Sequence, residues 1–330
     1  MPPGRTTGPQ RPLPHDAAPR TPRRARGPHR PTKEYGMRVG FIGPGIMGRP
    51  MTANLVAAGH DVRCYGRSDA SRERARSTGA EVTDSVAAAC EDAEVVVTML
   101  PAGPDVLAVT TGDDGVLPSM PPGAVLLDHS TISPDEAREV HAAATTAGVR
   151  CLDAPVSGGE AGAVEGTLAV MVGGDPQTLA HVRPVLDAVG STIVHVGGPG
   201  AGQVVKAANQ LVVAGNLQVL AEALVFLRAH LGEQDLPAAL DVLGGGLAGS
   251  TALTRKRRAL LEQHYQPGFR IALHDKDMGI VETAARHAGL ALPVTSVVAT
   301  MIAAVKARGG GDLDHSALAE LAADLNGSAR

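Results

Sequence analysis

The stretch that most constrains this 330-residue chain is residues 197–231, which read as one long apolar helix between two different sequence patterns. The letters GGPGAG open it, and about thirty residues rich in Val, Leu and Ala follow without a break. Upstream, short apolar strands alternate with helical segments, whereas downstream the glycine, proline and polar breaks separate only helices. The stretch therefore predicts a hinge between an α/β half and an all-helical half.

The chain is predicted to have three parts. Residues 1–36 carry nine Pro and eight basic residues against two acidic ones, with almost no large apolar side chain, a composition typical of disorder. We expect a Rossmann-type α/β domain with a mostly parallel sheet over residues 37–198, and an all-helical domain that begins with the long helix over residues 199–330. Because Met37 directly precedes the first strand, residues 1–36 are interpreted as a dispensable extension or the product of an upstream start.

Composition excludes several classes of function. The formal net charge is −4 although residues 1–36 are strongly basic, so the rest of the chain is acidic in balance and does not fit a nucleic-acid-binding protein. No apolar run approaches the roughly 18 residues of a membrane span. Cys64, Cys90 and Cys151 form no CxxC pair and the twelve His lack metal-ligand spacing, so we expect neither disulfides nor a metal. These features predict a soluble, cytoplasmic protein.

The segment after Met37 has the pattern of a dinucleotide site. A short apolar strand, residues 38–42, runs into a turn with GxGxxG spacing and then into a helix with apolar periodicity. The first glycine allows the tight turn, the second lets backbone N–H groups approach a pyrophosphate, and the third packs the helix on the strand. The predicted cofactor-binding residues of this turn are Gly43, Gly45, Ile46, Met47 and Gly48.

The end of the second strand, residues 61–65, bears on which dinucleotide is bound. A site that prefers NAD usually places an acidic residue there to bind the ribose 2′-hydroxyl. This chain has Arg67 and Ser68 instead. A cation beside a small hydroxyl suits the 2′-phosphate of NADP, although Arg can also stack on adenine. The expected cofactor is therefore NADP or NAD, with a preference for NADP.

A second glycine-rich loop follows the strand at residues 150–154. Ser157, Gly158 and Gly159 offer backbone N–H groups and a hydroxyl. They fall at the carboxyl end of a strand, where open α/β sheets bind ligands. The loop is therefore a candidate cradle for a small carboxylate.

An ionisable group stands among apolar residues near the start of the long helix. Lys206 has Asn209 and Gln210 one turn further on, and residues three and four apart share a helix face. A cation and two amides can therefore converge on one cleft. From this window alone, a surface lysine near a helix start fits the pattern equally well.

Four motifs in order make residues 37–325 resemble the β-hydroxyacid dehydrogenase family, which also holds 3-hydroxyisobutyrate and phosphogluconate dehydrogenases. The motifs are GPGIMGRPM at 43–51, DAPVSGG at 153–159, GQVVKAAN at 202–209 and KDM at 276–278. Four matches in the same order are hard to obtain by chance. Within the family, residues 244–250 and 269–274 look most like the tartronate semialdehyde (2-hydroxy-3-oxopropionate) reductases.

The resemblance implies NAD(P)H-dependent reduction of tartronate semialdehyde to glycerate, or the reverse oxidation of a small β-hydroxyacid, by a homodimer or homotetramer. It implies that Lys206 is the catalytic acid. The substrate-binding residues that it implies are Ser157, Gly158, Gly159, Asn209 and Gln210. The residues that it places along the nicotinamide cofactor are Leu100, Pro101, Thr131 and Lys276. Many relatives carry a second Asn where this chain has Gln210, so which amide orients the substrate stays open.

Other functions fit parts of the same pattern. 3-Hydroxyisobutyrate or another β-hydroxyacid is an alternative substrate that one sequence separates poorly. An imine reductase shares the architecture but typically replaces the lysine. A non-catalytic NADP-binding redox sensor needs no proton donor. Lys206 together with a Ser-Gly-Gly loop disfavours the last two.

Overall fold

The fold was established with a computed structural model, which describes residues 36–327. Apart from Gly36, the predicted tail at 1–36 lies outside these residues. The N-terminal half contains a nine-stranded sheet whose strands are, in chain order, β1 (Arg38–Ile42), β2 (Asp61–Tyr65), β3 (Glu81–Val82), β4 (Val95–Thr98), β5 (Val125–Asp128), β6 (Arg150–Asp153), β7 (Val156–Ser157), β8 (Leu168–Gly174) and β9 (Gly190–Gly197).

The sheet is mostly parallel, as the alternation of strands and helices predicts. Strands β1 to β6 pair in parallel in the order β3-β2-β1-β4-β5-β6. Strand β8 then pairs antiparallel with β6 and β7, and parallel with β9. The order reverses between β1 and β4, and open α/β sheets bind ligands at such a switch point, beyond the carboxyl ends of the strands.

Eight helices belong to this half of the chain. They are α1 (Gly48–Ala57), α2 (Asp69–Arg76), α3 (Val86–Cys90), α4 (Gly103–Thr111), α5 (Val116–Ser119), α6 (Pro134–Thr146), α7 (Gly159–Glu165) and α8 (Pro176–Val189). The remaining helices are α9 (Ala201–His230), α10 (Leu236–Gly245), α11 (Thr251–Glu262), α12 (Ile271–His287), α13 (Pro293–Ala307) and α14 (Leu318–Leu325).

The central strands are apolar on both faces because helices cover both. Every residue of β4 and β5 is buried. Val95 and Val97 belong to one core cluster and Val96 to the other, since successive side chains of a strand point to opposite faces. Two cores therefore sandwich the sheet, which is the architecture expected of buried parallel strands.

The long helix α9 organises the second core. Ala214, Leu217, Ala221 and Leu224 recur at the spacing of one helix face, and they pack with residues of α12, α13 and α14. In the part of the chain that the structure describes, no strand follows α9. The predicted fold class is therefore confirmed, whereas the domain bounds at 37–198 and 199–330 stay a prediction.

Although the sequence has no uninterrupted apolar run of roughly 18 residues, α9 alone among the helices of residues 36–327 could cross a membrane by length and composition. Ten of its residues are buried in the protein, and they include the polar side chains of Gln203, Lys206, Gln210 and Gln218. Gln203, Lys206 and Gln210 bond to residues outside α9, and buried polar groups satisfied in this way are typical of a core helix.

The start of α9 is fixed by a carboxylate from the sheet. Asp153, the last residue of β6, accepts hydrogen bonds from the backbone N–H groups of Gly200 (2.8 Å) and Gln203 (3.1 Å). A carboxylate at the positive end of a helix satisfies N–H groups that have no partner within the helix. Lys206 is thereby held about one turn from the carboxyl edge of the sheet.

Candidate active site

The turn between β1 and α1 leaves open space at one glycine. The Gly43 N–H donates to the Tyr65 carbonyl oxygen (3.0 Å), and a Cβ on Gly48 would lie 2.2 Å from the carbonyl oxygen of Gly43. A Cβ on Gly45 would meet no atom within 4 Å. The space beside Gly45 at the start of α1 therefore fits a pyrophosphate held by backbone N–H groups.

The two residues between these glycines point in different directions. Ile46 is 59 % exposed, whereas Met47 packs against the core cluster of the sheet. Ile46 can therefore contact a dinucleotide that crosses the turn, whereas Met47 holds the turn against the core of the sheet.

Arg67 is an exposed residue just beyond the end of β2. Its side chain is 90 % exposed, and its guanidinium is 4.0 Å from the Asp105 carboxylate. The neighbouring Ser68 has a different task, because its hydroxyl accepts the Ser71 N–H (3.2 Å) as the N-cap of α2. Of the two residues predicted to suit a 2′-phosphate, Arg67 is the one whose side chain remains available.

Lys276 joins the helical half to two loops at the carboxyl edge of the sheet. From α12, its Nζ donates to the carbonyl oxygens of Pro101 (3.0 Å), after β4, and Thr131 (2.6 Å), after β5. The N–H of Leu100, in the first of these loops, donates to Ser130 Oγ (2.9 Å). Strands β1, β4 and β5 are neighbours, so these loops lie along the same edge as the glycine-rich turn.

Lys206 is a buried cation, 6 % exposed. Its Nζ donates to the Val156 carbonyl oxygen (2.7 Å) in the Ser-Gly-Gly loop and to Gln210 Oε1 (3.1 Å). Burial lowers the pKa of Lys206 to about 8, against the opposing effect of the Asp277 carboxylate, which favours the charged form. An amine with a pKa this close to neutrality can both donate and accept a proton at physiological pH.

Asn209 and Gln210 form one amide network but face different neighbours. The Ser157 hydroxyl donates to Asn209 Oδ1 (3.2 Å), and Asn209 Nδ2 donates to Gln210 Oε1 (2.8 Å). Gln210 is buried and bonds to Lys206, whereas Asn209 is half-buried beside the loop. Asn209 is therefore the amide nearer to the candidate substrate loop.

Two buried residues of the site received no role from the sequence alone. Asp277 lies behind the network, where its Oδ2 accepts from Gln210 Nε2 (2.6 Å). Gln203 bonds to the loop after β5, donating to the carbonyl oxygen of Ser130 (2.8 Å) and accepting from the N–H of Ile132 (3.2 Å). The available signals were the acid inside KDM and the glutamine one turn before Lys206.

Over residues 36–327, no group of three or more His, Cys, Asp and Glu side chains is arranged to hold a metal ion.

Two family models match this chain along most of its length. The NAD binding domain of 6-phosphogluconate dehydrogenase matches residues 38–197, and the NAD-binding domain of NADP-dependent 3-hydroxyisobutyrate dehydrogenase matches residues 200–322. Together they cover both the sheet with its glycine-rich turn and the helical half that carries Lys206.

Similar proteins agree with these matches. The chain is 38 % identical over 284 residues to 2-hydroxy-3-oxopropionate reductase of Escherichia coli, which covers 86 % of this chain and 96 % of that protein. It is 39 % identical over 288 residues to a probable 3-hydroxyisobutyrate dehydrogenase of Mycobacterium tuberculosis, covering 85 % and 96 %. A solved structure of the M. tuberculosis 3-hydroxyisobutyrate dehydrogenase with L-serine matches at a TM-score of 0.78 and 37 % identity, covering 87 % and 99 %. The chain therefore belongs to the 3-hydroxyisobutyrate dehydrogenase-like family of β-hydroxyacid dehydrogenases and is an NAD(P)-dependent oxidoreductase.

Proposed function

We propose that this enzyme reduces tartronate semialdehyde to glycerate, and that in reverse it oxidises small β-hydroxyacids. The observation that carries the chemistry is a buried Lys206 whose Nζ bonds to the loop proposed to bind the substrate. The choice of substrate rests on residues 244–250 and 269–274, which look most like tartronate semialdehyde reductases, and on the E. coli relative of that name.

The proposed mechanism assigns proton transfer to Lys206. A nicotinamide cofactor held by the proposed cofactor residues would supply hydride for the aldehyde carbon, so negative charge would develop on the aldehyde oxygen. The Lys206 ammonium faces that oxygen and delivers a proton to it, which neutralises the charge as it forms. In the oxidation direction the neutral amine removes the hydroxyl proton.

The other proposed roles position the reactants. Ser157, Gly158 and Gly159 bind the substrate carboxylate, and Asn209 orients the substrate from the adjacent helix face. Gln210, anchored by Asp277, fixes the Lys206 amine. The proposed cofactor contacts are the glycine-rich turn with Ile46 and Met47, Arg67, and the Leu100, Pro101, Thr131 and Lys276 group.

A substrate panel tests this function. We expect kcat/KM for tartronate semialdehyde to exceed kcat/KM for methylmalonate semialdehyde, the aldehyde formed when 3-hydroxyisobutyrate is oxidised. NADPH consumption measures both reductions. The M. tuberculosis relative motivates 3-hydroxyisobutyrate as the second candidate. A higher kcat/KM with methylmalonate semialdehyde would make 3-hydroxyisobutyrate, and not glycerate, the favoured hydroxyacid.

The dependence of kcat/KM on pH should reflect the protonation of Lys206. Because burial lowers its pKa to about 8, the ammonium needed for reduction predominates below that pH and is lost above it. We therefore expect kcat/KM for aldehyde reduction to fall as pH rises through about 8, and kcat/KM for hydroxyacid oxidation to rise through the same pH. Steady-state rates in both directions measure this. Two profiles that move in the same direction through this range would contradict the role of Lys206.

Arg67 should determine the preference for NADPH. We expect Arg67→Ala to lower kcat/KM for NADPH by roughly 10-fold, since an exposed cation makes only a modest contact with a phosphate. The value for NADH should change little, because NADH lacks the 2′-phosphate. Arg74→Ala, on the exposed side of α2, is the matched control. Equal losses of kcat/KM with NADPH and NADH would show that Arg67 does not bind the 2′-phosphate.

The assembly and location of the protein remain proposals. We propose a homodimer or homotetramer in the cytoplasm, from the family resemblance and from a sequence with three cysteines and no CxxC pair.

A further inference from the structure

The substrate loop is held by the helical half at three consecutive residues. Residues of α9 bond to the Val156 carbonyl oxygen and to the Ser157 hydroxyl. The third residue, Gly158, accepts a hydrogen bond at its carbonyl oxygen from Nη1 of Arg255, an exposed residue of α11. The first two contacts come from the motif around Lys206, whereas Arg255 lies outside the four motifs that relate the chain to its family.

The orientation of Arg255 differs from that of the three cations that follow it. Residues 255–258 read Arg-Lys-Arg-Arg, and each of the last three makes an ion pair with a carboxylate. The pairs are Lys256 with Asp314 (2.7 Å), Arg257 with Asp241 (2.8 Å) and Arg258 with Glu262 (2.9 Å). Arg255 is turned to a carbonyl group, which carries no formal charge, so it brings positive charge to the loop.

The peptide group that Arg255 contacts lies between two glycines and makes one further hydrogen bond at its carbonyl oxygen. Gly158 and Gly159 flank it at φ +147° and +64°, and neither has a side chain. The Gly158 carbonyl oxygen also accepts the Gly162 N–H (3.2 Å). In a trans peptide the C=O and N–H groups point in opposite directions, so holding the carbonyl fixes the direction of the Gly159 N–H, which α7 does not use.

We propose that Arg255 is a positioning residue that orients the Gly158–Gly159 peptide for the substrate carboxylate and whose charge makes the site favour an anionic acid over its neutral ester. The inference rests on the proposed function of the Ser157–Gly159 loop. It adds a residue of α11 to substrate recognition and makes carboxylate binding depend on the contact between α11 and the Ser157–Gly159 loop.

The test compares Arg255→Gln with wild type on tartronate semialdehyde and on its methyl ester. We expect KM for the acid to rise roughly 10- to 100-fold, the usual loss when a charged hydrogen bond is removed. KM for the ester should change less than about 3-fold, and kcat and NADPH affinity should stay near wild type, because neither the proton donor nor the turn after β1 is touched. Arg255→Lys should recover part of the loss, since it restores charge without the planar fork.

Arg258→Gln is the matched control, because it removes a cation one turn away whose partner is Glu262. Melting temperatures of both variants test folding. An unchanged KM for the acid in Arg255→Gln, an equal rise for acid and ester, or the same rise in Arg258→Gln would each overturn the proposal.

A separate experiment tests Arg255 if the proposed function itself proves wrong. If wild type oxidises no NADPH with tartronate semialdehyde, the proposed function fails, and sodium glycerate titrated calorimetrically into the NADP⁺-loaded protein tests Arg255 instead. Glycerate binding that is weakened in Arg255→Gln but not in Arg258→Gln would support the role of Arg255. Absence of glycerate binding to wild type, or equal binding to all three proteins, would refute it.

Discussion

Replacing Lys206 by alanine is expected to lower kcat for tartronate semialdehyde by at least roughly 10²- to 10⁴-fold, the usual contribution of a positioned general acid. The reason is geometric, because the buried Nζ lies at the proposed substrate loop, 2.7 Å from the Val156 carbonyl oxygen. NADPH binding should stay near wild type, since the proposed cofactor contacts lie on the turn after β1 and at Arg67. Steady-state turnover and NADPH fluorescence titration on the same protein measure both quantities.

Further variants separate proton delivery from packing. Lys206→Arg should recover little activity, because a guanidinium stays protonated and has a different shape. Lys206→Met keeps most of the side-chain volume and should be as inactive as Lys206→Ala. Lys306→Ala, which removes a half-exposed lysine paired with Asp275, is the control for loss of a cation. Turnover near wild type in Lys206→Met would contradict the assignment.

The second large effect is expected at the glycine-rich turn. Gly45→Val should raise the KM for NADPH roughly 100-fold, because a side chain placed where the pyrophosphate approaches costs up to about 3 kcal/mol. A Cβ on Gly45 would meet no atom within 4 Å, and the φ of Gly45 is not positive, so the fold itself should tolerate valine. The KM for NADPH and the midpoint of urea unfolding are the two measurements.

Gly215→Val is the control, because Gly215 in α9 has similar open space and lies outside the residues proposed to contact cofactor or substrate. It should leave the KM for NADPH unchanged. If Gly45→Val also left it unchanged while the protein stayed folded, the dinucleotide would have to bind elsewhere.

Local sequence patterns predicted the elements whose own residues show helical periodicity or glycine spacing. The turn from β1 into α1 and the long α9 each carry their own glycine spacing or periodicity. The short elements β3, α4, α5 and α7 were not predicted, because stretches of two to nine residues show too little periodicity. Their positions depend on packing against the sheet.

The site was predictable as a set of residues but not as a network. The sequence shows that Lys206 and Gln210 share a helix face, yet the bond from Gln210 to Asp277 joins residues 67 positions apart. Arg255 and Gly158 are separated by 97 positions. Such contacts depend on how α11 and α12 pack against α9, which no local pattern encodes. Ser68 was predicted to suit a 2′-phosphate, whereas in the structure its hydroxyl accepts the Ser71 N–H and caps α2, a local role that was not predicted.

The central claim, that Lys206 delivers the proton to the nascent alkoxide, is tested most directly by single-turnover oxidation of bound NADPH. Wild type, Lys206→Ala and Lys306→Ala are mixed with saturating tartronate semialdehyde in a stopped-flow instrument, so that binding and product release do not limit the rate. We predict that Lys206→Ala is slower than both other proteins by at least roughly 100-fold. Equal single-turnover rates in all three folded proteins would contradict the account.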